Sequence, residues 1–518
     1  MTELLGANTD TLDRMAQSLR VDSRAVQDIR ARAQQAVAEL EAAWNGPDLW
    51  HLTQQWEQQT LPQLANASTG LEMGACKLLA QSSAQRAASS ADDGGAVPGW
   101  PAPFAWMAPG AALGIPGGTN PAGTAPTGPP TPTSAAGSPP QHASPRENAD
   151  WWRSLSAREQ QDVIRGHPDW VGNRDGVPFT VRNVANRALL SLDKARLVVE
   201  GARLAARLAD DWFDGTFTND DVALAHAGDK LASLDAIEQT LARDGERQLL
   251  LLDLSQERAQ AAIARGDVDN ADNVAVLVPG MTANVNDKMM GYDHEMDHLQ
   301  HRAELENKRV HPTGSSTTAT VTWIGYQAPQ LGWDLIGQNS AADDHAAQVG
   351  AAHLVPFLQG IGAARTRDAH LTLLGHSYGS TTAGLALRQS TGVDDVVFFG
   401  SPGVGTSNVR DLAVPSGHTY YIEARLDPVG DLGHFGIDPS HMDGVGHVSA
   451  RESTVVDPLT GEVRHFAGIS GHSSYLVDDS TSQFNMSVVV AGVPERRVLD
   501  PGEGLGDLLS WPIPGTHS

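Results

Sequence analysis

The residues best suited to do chemistry lie within 371–390, where a strand-length apolar run ends at Gly375-His-Ser377-Tyr-Gly379. The segment after Gly379 is rich in small residues and has the spacing of a helix. A strand that reverses into a helix within about two residues forces backbone and Cβ atoms together, and glycine fits there because it has no Cβ. The pattern therefore predicts a nucleophile elbow that exposes the Ser377 hydroxyl at the tip of the turn.

Ser377 needs two partners before its hydroxyl can act as a nucleophile at neutral pH. A base must lie within hydrogen-bond distance, and an acid must orient that base. The strand-like run 418–422 leads into Asp427, which is the preferred acid because it follows directly after the end of that run. Asp431 and Asp438 are alternatives in the same loop, where aspartates beside Pro or Gly are also common turn formers.

The candidate base comes from the histidines downstream of Asp427. They are His434, His441, His447, His465 and His472. The run 464–469 is a candidate for the last strand, and His472 lies in the loop that follows it. His472 is therefore the preferred base and His447 the alternative.

An acyl-transfer site also needs backbone N–H groups that bind the negative charge on the substrate oxygen, and losing one donor costs about 10²- to 10³-fold in rate. The N–H of Tyr378, the residue after the nucleophile, is the expected first donor. The second is expected in the loop Pro279-Gly280-Met281-Thr282, which leaves the strand-like run 274–278. Gly280 allows a close backbone approach, and the Met281 N–H is the preferred donor.

These candidates are spread along a chain in which short apolar runs alternate with helix-length segments. The runs are 249–252, 259–263, 274–278, 319–323, 371–374, 396–399 and 418–422. Such alternation predicts a mostly parallel sheet with helices on both faces. The predicted fold class is therefore α/β.

The remaining segments differ in composition and periodicity. An apolar seam before Trp44 and a second after it predict a helical hairpin. A segment rich in Pro, Gly, Ala, Ser and Thr follows and predicts a disordered or extended linker, and helical periodicity then resumes with a capping box at Ser156 and Glu159. The predicted division is a hairpin over 1–90, a linker over 91–147, a helical subdomain over 148–246, a catalytic domain over 247–480 and a C-terminal tail over 481–518.

Composition excludes several classes of function. The 518 residues are enough for two or three domains, and the net charge of −26 argues against a nucleic-acid partner. The single cysteine, Cys76, rules out a disulfide framework within the chain. We expect no cofactor. No apolar run approaches the roughly 20 residues of a membrane-spanning helix, and the start of the sequence lacks the pattern of a cleavable secretory signal.

Several motifs together resemble the α/β-hydrolase superfamily. They are Val276-Leu-Val-Pro-Gly280-Met281, Leu374-Gly-His-Ser-Tyr-Gly-Ser380, Gly400-Ser-Pro-Gly403, Gly471-His-Ser-Ser-Tyr475, Gly172-Asn-Arg-Asp-Gly-Val-Pro178 and Ala185-Asn-Arg187. They look like an actinobacterial branch usually catalogued as a domain of unknown function. The resemblance implies an α/β-hydrolase fold, preceded by helical regions, in which Ser377, Asp427 and His472 form the catalytic set. It supplies no substrate.

The N-terminal hairpin has a resemblance of its own. Its Trp44-Asn-Gly46 turn between two amphipathic helices resembles the WXG-type proteins of ESX (type VII) secretion systems. That resemblance implies a helical-bundle partner or self-association through the hairpin. It leaves two expected locations, the cytoplasm or export by a type VII route without a cleavable signal.

One rival motif favours metal chemistry. His294-Glu295-Met-Asp-His298 matches His-Glu-x-x-His, in which two histidines on one helical face hold zinc. It resembles a segment of the peptide deformylases, but those enzymes need a cysteine ligand, and Cys76 lies in the N-terminal hairpin. The first helix after the run 274–278 is an ordinary place for a charged, solvated face, so zinc catalysis is the weaker hypothesis.

The sequence therefore favours a serine hydrolase that acts on a small-molecule or lipid ester through an acyl-enzyme. The alternative is a secretion-linked interaction protein that uses the hydrolase fold as a scaffold with little or no activity.

Overall fold

The computed structural model describes residues 137–210, 219–314, 316–330, 344–427, 429, 435 and 438–500, together with isolated positions between 13 and 86. Residues 134–518 form one compact unit, and residues 1–133 form another. In the N-terminal unit, the described positions between 13 and 34 are helical, and Arg86 forms an ion pair with Asp13. The Trp44 turn lies outside the described residues, so the hairpin stays a prediction.

Among the residues described from 137 onward, five helices precede the sheet. They are α1 (Pro145–Ser154), α2 (Ala157–Gly166), α3 (Pro168–Val171), α4 (Phe179–Asp210) and α5 (Asn219–Leu241). Helices α4 and α5 lie in the segment 148–246, for which helical structure was expected. The capping box of Ser156 and Glu159 opens α2 as expected, and a second box, Ser144 with Glu147, opens α1. The first of these helices thus begins slightly before the expected boundary at 148.

An eight-stranded sheet forms the centre of the unit. Its strands are β1 (Arg247–Asp253), β2 (Gln260–Arg265), β3 (Asn273–Val278), β4 (Thr318–Ile324), β5 (His370–His376), β6 (Asp395–Phe399), β7 (Thr419–Ile422) and β8 (Gly446–Val448). Their order is β1-β2-β4-β3-β5-β6-β7-β8. The pairs β1/β2 and β2/β4 are antiparallel, and the pairs from β4 to β8 are parallel. The α/β fold class and its mostly parallel sheet are confirmed.

Helices cover both faces of this sheet because its central strands are apolar on both sides. Strand β3 directs Val274, Val276 and Val278 into one core, which α7 (His345–Ala364) and α8 (Tyr378–Leu387) cover. The alternate residues Ala275 and Leu277 enter a second core beneath α6 (Val285–Val310) and α9 (Thr481–Val490). Because successive side chains of a strand point to opposite faces of the sheet, this one apolar run packs against both helical layers.

The open edge of β1 is closed by side chains from the preceding helical region. Asn173 donates its Nδ2 to the Leu252 carbonyl at 2.7 Å and accepts the Leu252 N–H at 3.0 Å. Asn183 accepts the Leu249 N–H at 2.9 Å, and Asn186 donates to the Leu249 carbonyl at 3.2 Å. These amides replace the neighbouring strand that an edge strand lacks, so the helical region and the sheet are parts of one unit.

Two features of the C-terminal region differ from the expectation. The run expected as the last strand forms β10 (Val463–Phe466), which pairs only with β9 (Ser453–Val456) in a separate two-stranded sheet. The main sheet ends instead at β8, which is too short to show a period in sequence. The segment expected as a tail begins with α9, which is buried along its whole length. The described part of this unit therefore continues to residue 500.

Candidate active site

The candidate residues lie beyond the carboxyl ends of the parallel strands of the sheet. Parallel strands β3, β5 and β7 all end there, and their following loops carry Met281, Ser377 and Asp427. In open α/β sheets this edge, beyond the carboxyl ends of the strands, is where ligands bind.

Ser377 sits on a strained turn between β5 and α8. Its backbone has φ 54° and ψ −132°, a conformation that L-residues seldom adopt. A Cβ on Gly379 would lie 2.2 Å from the Val278 carbonyl oxygen, and one on Gly375 would lie 2.9 Å from the Ser380 Cα. Both glycines are therefore required by close approach, as the Gly-x-Ser-x-Gly pattern predicts.

Neighbouring groups hold this turn on both sides of the serine. The Ser377 N–H donates to the Phe399 carbonyl at 3.1 Å. The Ser380 hydroxyl donates to the Ser377 carbonyl at 2.6 Å and lies 2.6 Å from the Ser401 hydroxyl. Ser377 is only 7 % exposed, so its hydroxyl faces a largely dry environment.

A hydrogen-bonded chain connects Ser377, His472 and Asp427. His472 Nε2 lies 2.8 Å from Ser377 Oγ, and His472 Nδ1 lies 3.0 Å from each carboxylate oxygen of Asp427. Because a carboxylate only accepts, Nδ1 carries the proton, and Nε2 of the neutral ring can accept the serine hydroxyl. The arrangement can remove a proton from Ser377 and stabilise the resulting imidazolium.

Asp427 is 3 % exposed and well supplied with donors. Burial alone would raise the pKa of Asp427, but hydrogen bonds from His472, Tyr475 and the Val429 N–H outweigh it and hold the pKa below its usual range. The Tyr475 hydroxyl donates to Asp427 Oδ2 at 2.5 Å and accepts the Ala424 N–H at 3.0 Å. Burial and the Asp427 carboxylate raise the pKa of Tyr475, so the phenol stays protonated as a donor.

Gly400, at the end of β6, leaves room for this chain of groups. A Cβ there would lie 2.8 Å from Asp427 Oδ2 and 3.1 Å from His472 Nδ1, and the residue has φ 53°. A side chain would therefore enter the contact between acid and base.

The loop after β3 lies against the elbow. A Cβ on Gly280 would be 2.6 Å from Ser377 Cβ and 2.9 Å from the Tyr378 nitrogen. The Thr282 N–H donates to the Pro329 carbonyl at 2.7 Å, and the Tyr326 hydroxyl donates to the Pro279 carbonyl at 2.7 Å. These contacts hold the loop with its Gly280 close to Tyr378, the first residue of α8. The N–H groups of Tyr378 and Met281 are the ones expected to act as donors.

The alternative acids and bases have other positions. Asp438 accepts the Ser440 N–H at 2.8 Å as the cap of a short 3₁₀ helix, while His447 is exposed on β8. His465 is exposed on the β9–β10 hairpin. Asp431 and His434 lie outside the described residues.

The rival metal motif lies on α6 with other partners. His294 Nδ1 is 3.0 Å from an Arg243 nitrogen, and His298 Nδ1 is 3.2 Å from Asp478. Among the residues that the structure describes, no group of three or more His, Cys, Asp or Glu side chains is arranged to hold a metal ion. In the same described ranges, no helix is both long enough and apolar enough to cross a membrane.

Several residues around Ser377 were not proposed from the sequence. His376, Gly400, Ser401 and Tyr475 stood inside the motifs that carried the resemblance, but nothing in their spacing showed what they contact. Their roles depend on which loops meet, and that is a property of the tertiary structure.

Comparisons with known proteins agree with this fold. Residues 255–437 match the model of a family described as alpha/beta hydrolase. The chain is 32% identical over 269 residues to an uncharacterized protein of Mycobacterium tuberculosis, a match that covers 50% of this chain and 96% of that protein. The chain belongs to the α/β-hydrolase family.

Other relatives of this α/β-hydrolase are also uncharacterized. A Mycobacterium bovis protein has the same 32% identity, 50% of this chain and 96% of its own length. A second protein of M. tuberculosis is 29% identical over 60% of this chain and 47% of that protein.

Solved structures of esterases are similar to part of this chain at low sequence identity. An esterase of Pyrobaculum calidifontis is 12% identical, with 53% of this chain and 93% of that chain covered and a TM-score of 0.29. A thermophilic carboxylesterase cloned from a metagenomic library is 14% identical, with 53% and 97% covered and a TM-score of 0.28.

Proposed function

We propose that this α/β-hydrolase is a serine hydrolase that cleaves carboxylic esters through a covalent acyl-enzyme. The observation that carries the proposal is the hydrogen-bonded chain from Ser377 Oγ through His472 to Asp427, with distances of 2.8 and 3.0 Å. Ser377 lies on a strained turn beyond the carboxyl ends of the strands, which is where such folds bind ligands.

In the first half of the reaction, Ser377 Oγ attacks the ester carbonyl carbon while His472 Nε2 takes the hydroxyl proton. The C–O bond to the alcohol then breaks, and His472 returns the proton to the departing oxygen. Asp427 accepts the hydrogen bond from Nδ1 throughout, which favours the imidazolium that forms between these steps. The products of this half-reaction are the free alcohol and an acyl group on Ser377.

Water completes the reaction by the same route. His472 takes a proton from water, the hydroxide attacks the acyl carbon, and the bond to Ser377 Oγ breaks as the proton returns to it. The N–H groups of Tyr378 and Met281 bind the negative oxygen of each tetrahedral intermediate. The close approach of Gly280 to Tyr378 supports this assignment.

Covalent labelling with a fluorophosphonate probe tests the proposal. Wild type is expected to be labelled, and Ser377→Ala is expected to lose the label and to hydrolyse esters at least about 10⁴-fold more slowly, because no nucleophile remains. Ser191→Ala, an exposed serine on α4, is the matched control and should be labelled like wild type.

Two outcomes contradict the proposal: no labelling of folded wild type, or undiminished labelling of Ser377→Ala. The first would favour an interaction protein that uses the fold as a scaffold. If labelling succeeds, p-nitrophenyl esters of increasing acyl length then report which acyl groups the site accepts.

A further inference from the structure

His376 lies beside the nucleophile and contacts the base. It precedes Ser377 in the chain, and its Nε2 lies 3.0 Å from the backbone carbonyl oxygen of His472. Its ring stacks on Phe399, with centroids 5.0 Å apart and an angle of 18°, and its centroid is 4.9 Å from that of His472. The same side chain therefore touches both the backbone and the ring of the candidate base.

The chemistry of this contact defines the state of His376. A carbonyl oxygen only accepts, so Nε2 of His376 carries a proton and donates it. Loss of hydration, followed by the nearby His472 imidazole, lowers the pKa of His376 to about 3. The Asp427 carboxylate and the Tyr475 phenol are the other titratable groups nearby. His376 thus stays neutral while His472 gains and loses a proton.

The loop that carries His472 is anchored on both sides of the base, by the Gly471 N–H and by the Tyr475 hydroxyl. The Gly471 N–H donates to the Arg425 carbonyl at 2.9 Å, and Asp427 holds Nδ1 of the ring. The carbonyl of His472 is held by His376, which belongs to the same turn as the nucleophile. A shift of this carbonyl would move Nε2 relative to Ser377 Oγ, and misplacement by about 1 Å can cost about 100-fold in rate.

We propose that His376 is a positioning residue, whose hydrogen bond to the backbone carbonyl of His472 ties the base to the turn that carries Ser377. The inference rests on the proposed function, because it assigns the bond a role in the reaction of that site. His376 itself neither touches the substrate nor accepts the serine proton.

Two substitutions separate the hydrogen bond from the ring contact. His376→Phe retains an aromatic ring on Phe399 and removes the donor, whereas His376→Gln supplies an N–H near the position of Nε2. We expect His376→Phe to lower kcat about tenfold to a hundredfold with little change in KM, and His376→Gln to recover most of the loss. His465→Phe, on the exposed β9–β10 hairpin, controls for a histidine-to-phenylalanine change.

A second readout does not depend on turnover. The proton between His472 Nδ1 and Asp427 is expected to give a far-downfield resonance in NMR spectra of the full-length protein. We expect that resonance to broaden in His376→Phe, since a less restrained ring exposes the proton to exchange with water, and to stay sharp in His376→Gln and His465→Phe.

The inference is overturned if folded His376→Phe keeps the wild-type kcat and a sharp resonance, or if His376→Gln is as impaired as His376→Phe in both measurements. Failure of the proposed function has a different signature. In that case folded wild type resists the fluorophosphonate probe, while the resonance still distinguishes the two His376 variants.

Discussion

At the scale of single residues, the site depends on a few backbone positions that only particular side chains tolerate. Ser377 adopts φ 54°, and a non-glycine residue held in such a sparsely populated conformation costs about 1–3 kcal/mol. The surrounding contacts with Phe399 and Ser380 hold it there. In this conformation the Ser377 Oγ points toward His472. The cost in local stability therefore falls at the candidate nucleophile.

Gly400→Ala tests how closely the acid and base must approach. The new methyl group would lie 2.8 Å from Asp427 Oδ2, so we expect fluorophosphonate labelling to fall by about 100-fold or more as the contact with His472 opens. The measurement is the rate of labelling, together with a melting curve that shows the variant is folded.

Gly392→Ala is the matched control. Gly392 also has a positive φ, 78°, but a Cβ there meets no atom within 4 Å. It should lose about 1 kcal/mol of stability from backbone strain alone and keep its labelling rate. Equal labelling of both variants would show that the Gly400 contact does not matter for the site.

At the scale of elements, the helical region before the sheet completes the edge of β1. Asn173 forms two hydrogen bonds with Leu252, and Arg187 donates to the Arg247 carbonyl at 2.8 Å. Part of the family resemblance came from the motifs Gly172–Pro178 and Ala185–Arg187. They contribute to the outer edge at β1 and not to the candidate active site.

Asn173→Ala is expected to destabilise the fold by about 1–3 kcal/mol, because it leaves the Leu252 N–H and carbonyl without their partner. Urea unfolding measures the difference. Asn270→Ala removes an exposed asparagine that contacts Asp267 and should cost well under 1 kcal/mol. Similar losses in both variants would argue against the edge-closing role of Asn173.

Helix α6 carries a glutamate whose protonation should affect stability. Burial raises the pKa of Glu295 from 4.5 to about 7, opposed by Lys288. A raised pKa favours the protonated form in the folded state, so the stabilisation is complete below about pH 4.5 and is lost as pH rises through about 7. Glu295 therefore makes the fold less stable as pH rises. Asp427, whose pKa is lowered, has the opposite effect on stability.

Glu295→Gln removes this titration. The melting temperature of the variant minus that of wild type is expected to increase as pH rises from about 4.5 to about 7 and then to level off. Melting curves across this range measure it, with Glu257→Gln, an exposed glutamate, as the control. A difference that does not change with pH would contradict the raised pKa of Glu295.

At the scale of the whole molecule, residues 134–518 form a compact unit, while the composition of 91–147 predicts a linker. Limited digestion of the full chain with elastase should therefore cut first within 91–136. The expected product is a resistant fragment that begins near residue 137 and labels with the fluorophosphonate probe at the rate of the full chain.

Mass spectrometry of the fragment checks its start. First cuts between α1 and α5 would contradict the prediction, since they would mean that the helical region separates from the sheet more readily than the linker is cut. Loss of labelling in an intact fragment would show instead that the N-terminal region contributes to the reaction.

The sequence by itself determined the fold class and most of the sheet. Seven apolar runs predicted β1 to β7, because the period and the apolar character of a buried strand are local properties. The Gly-x-Ser-x-Gly pattern likewise predicted the turn at Ser377, since the steric demand of that turn acts within five residues.

Only the tertiary structure decided which downstream residues meet Ser377. Asp427, Asp438, His447 and His472 were all candidates by residue type, and the fold brings Asp427 and His472 together at Ser377. Their meeting depends on the order of β5, β6 and β7 and on the paths of the loops between them, which no short-range pattern encodes.

The same reason explains the unexpected helix α9. Half of its residues are polar, among them two serines, a glutamine and an asparagine, yet every residue is buried. Asn485 donates to the carbonyls of Ser449 and Val498 at 2.8 and 3.1 Å, so its polar groups have partners inside the protein. These partners of Asn485 come from other parts of the chain, so the burial of the polar residues of α9 is decided by the tertiary structure.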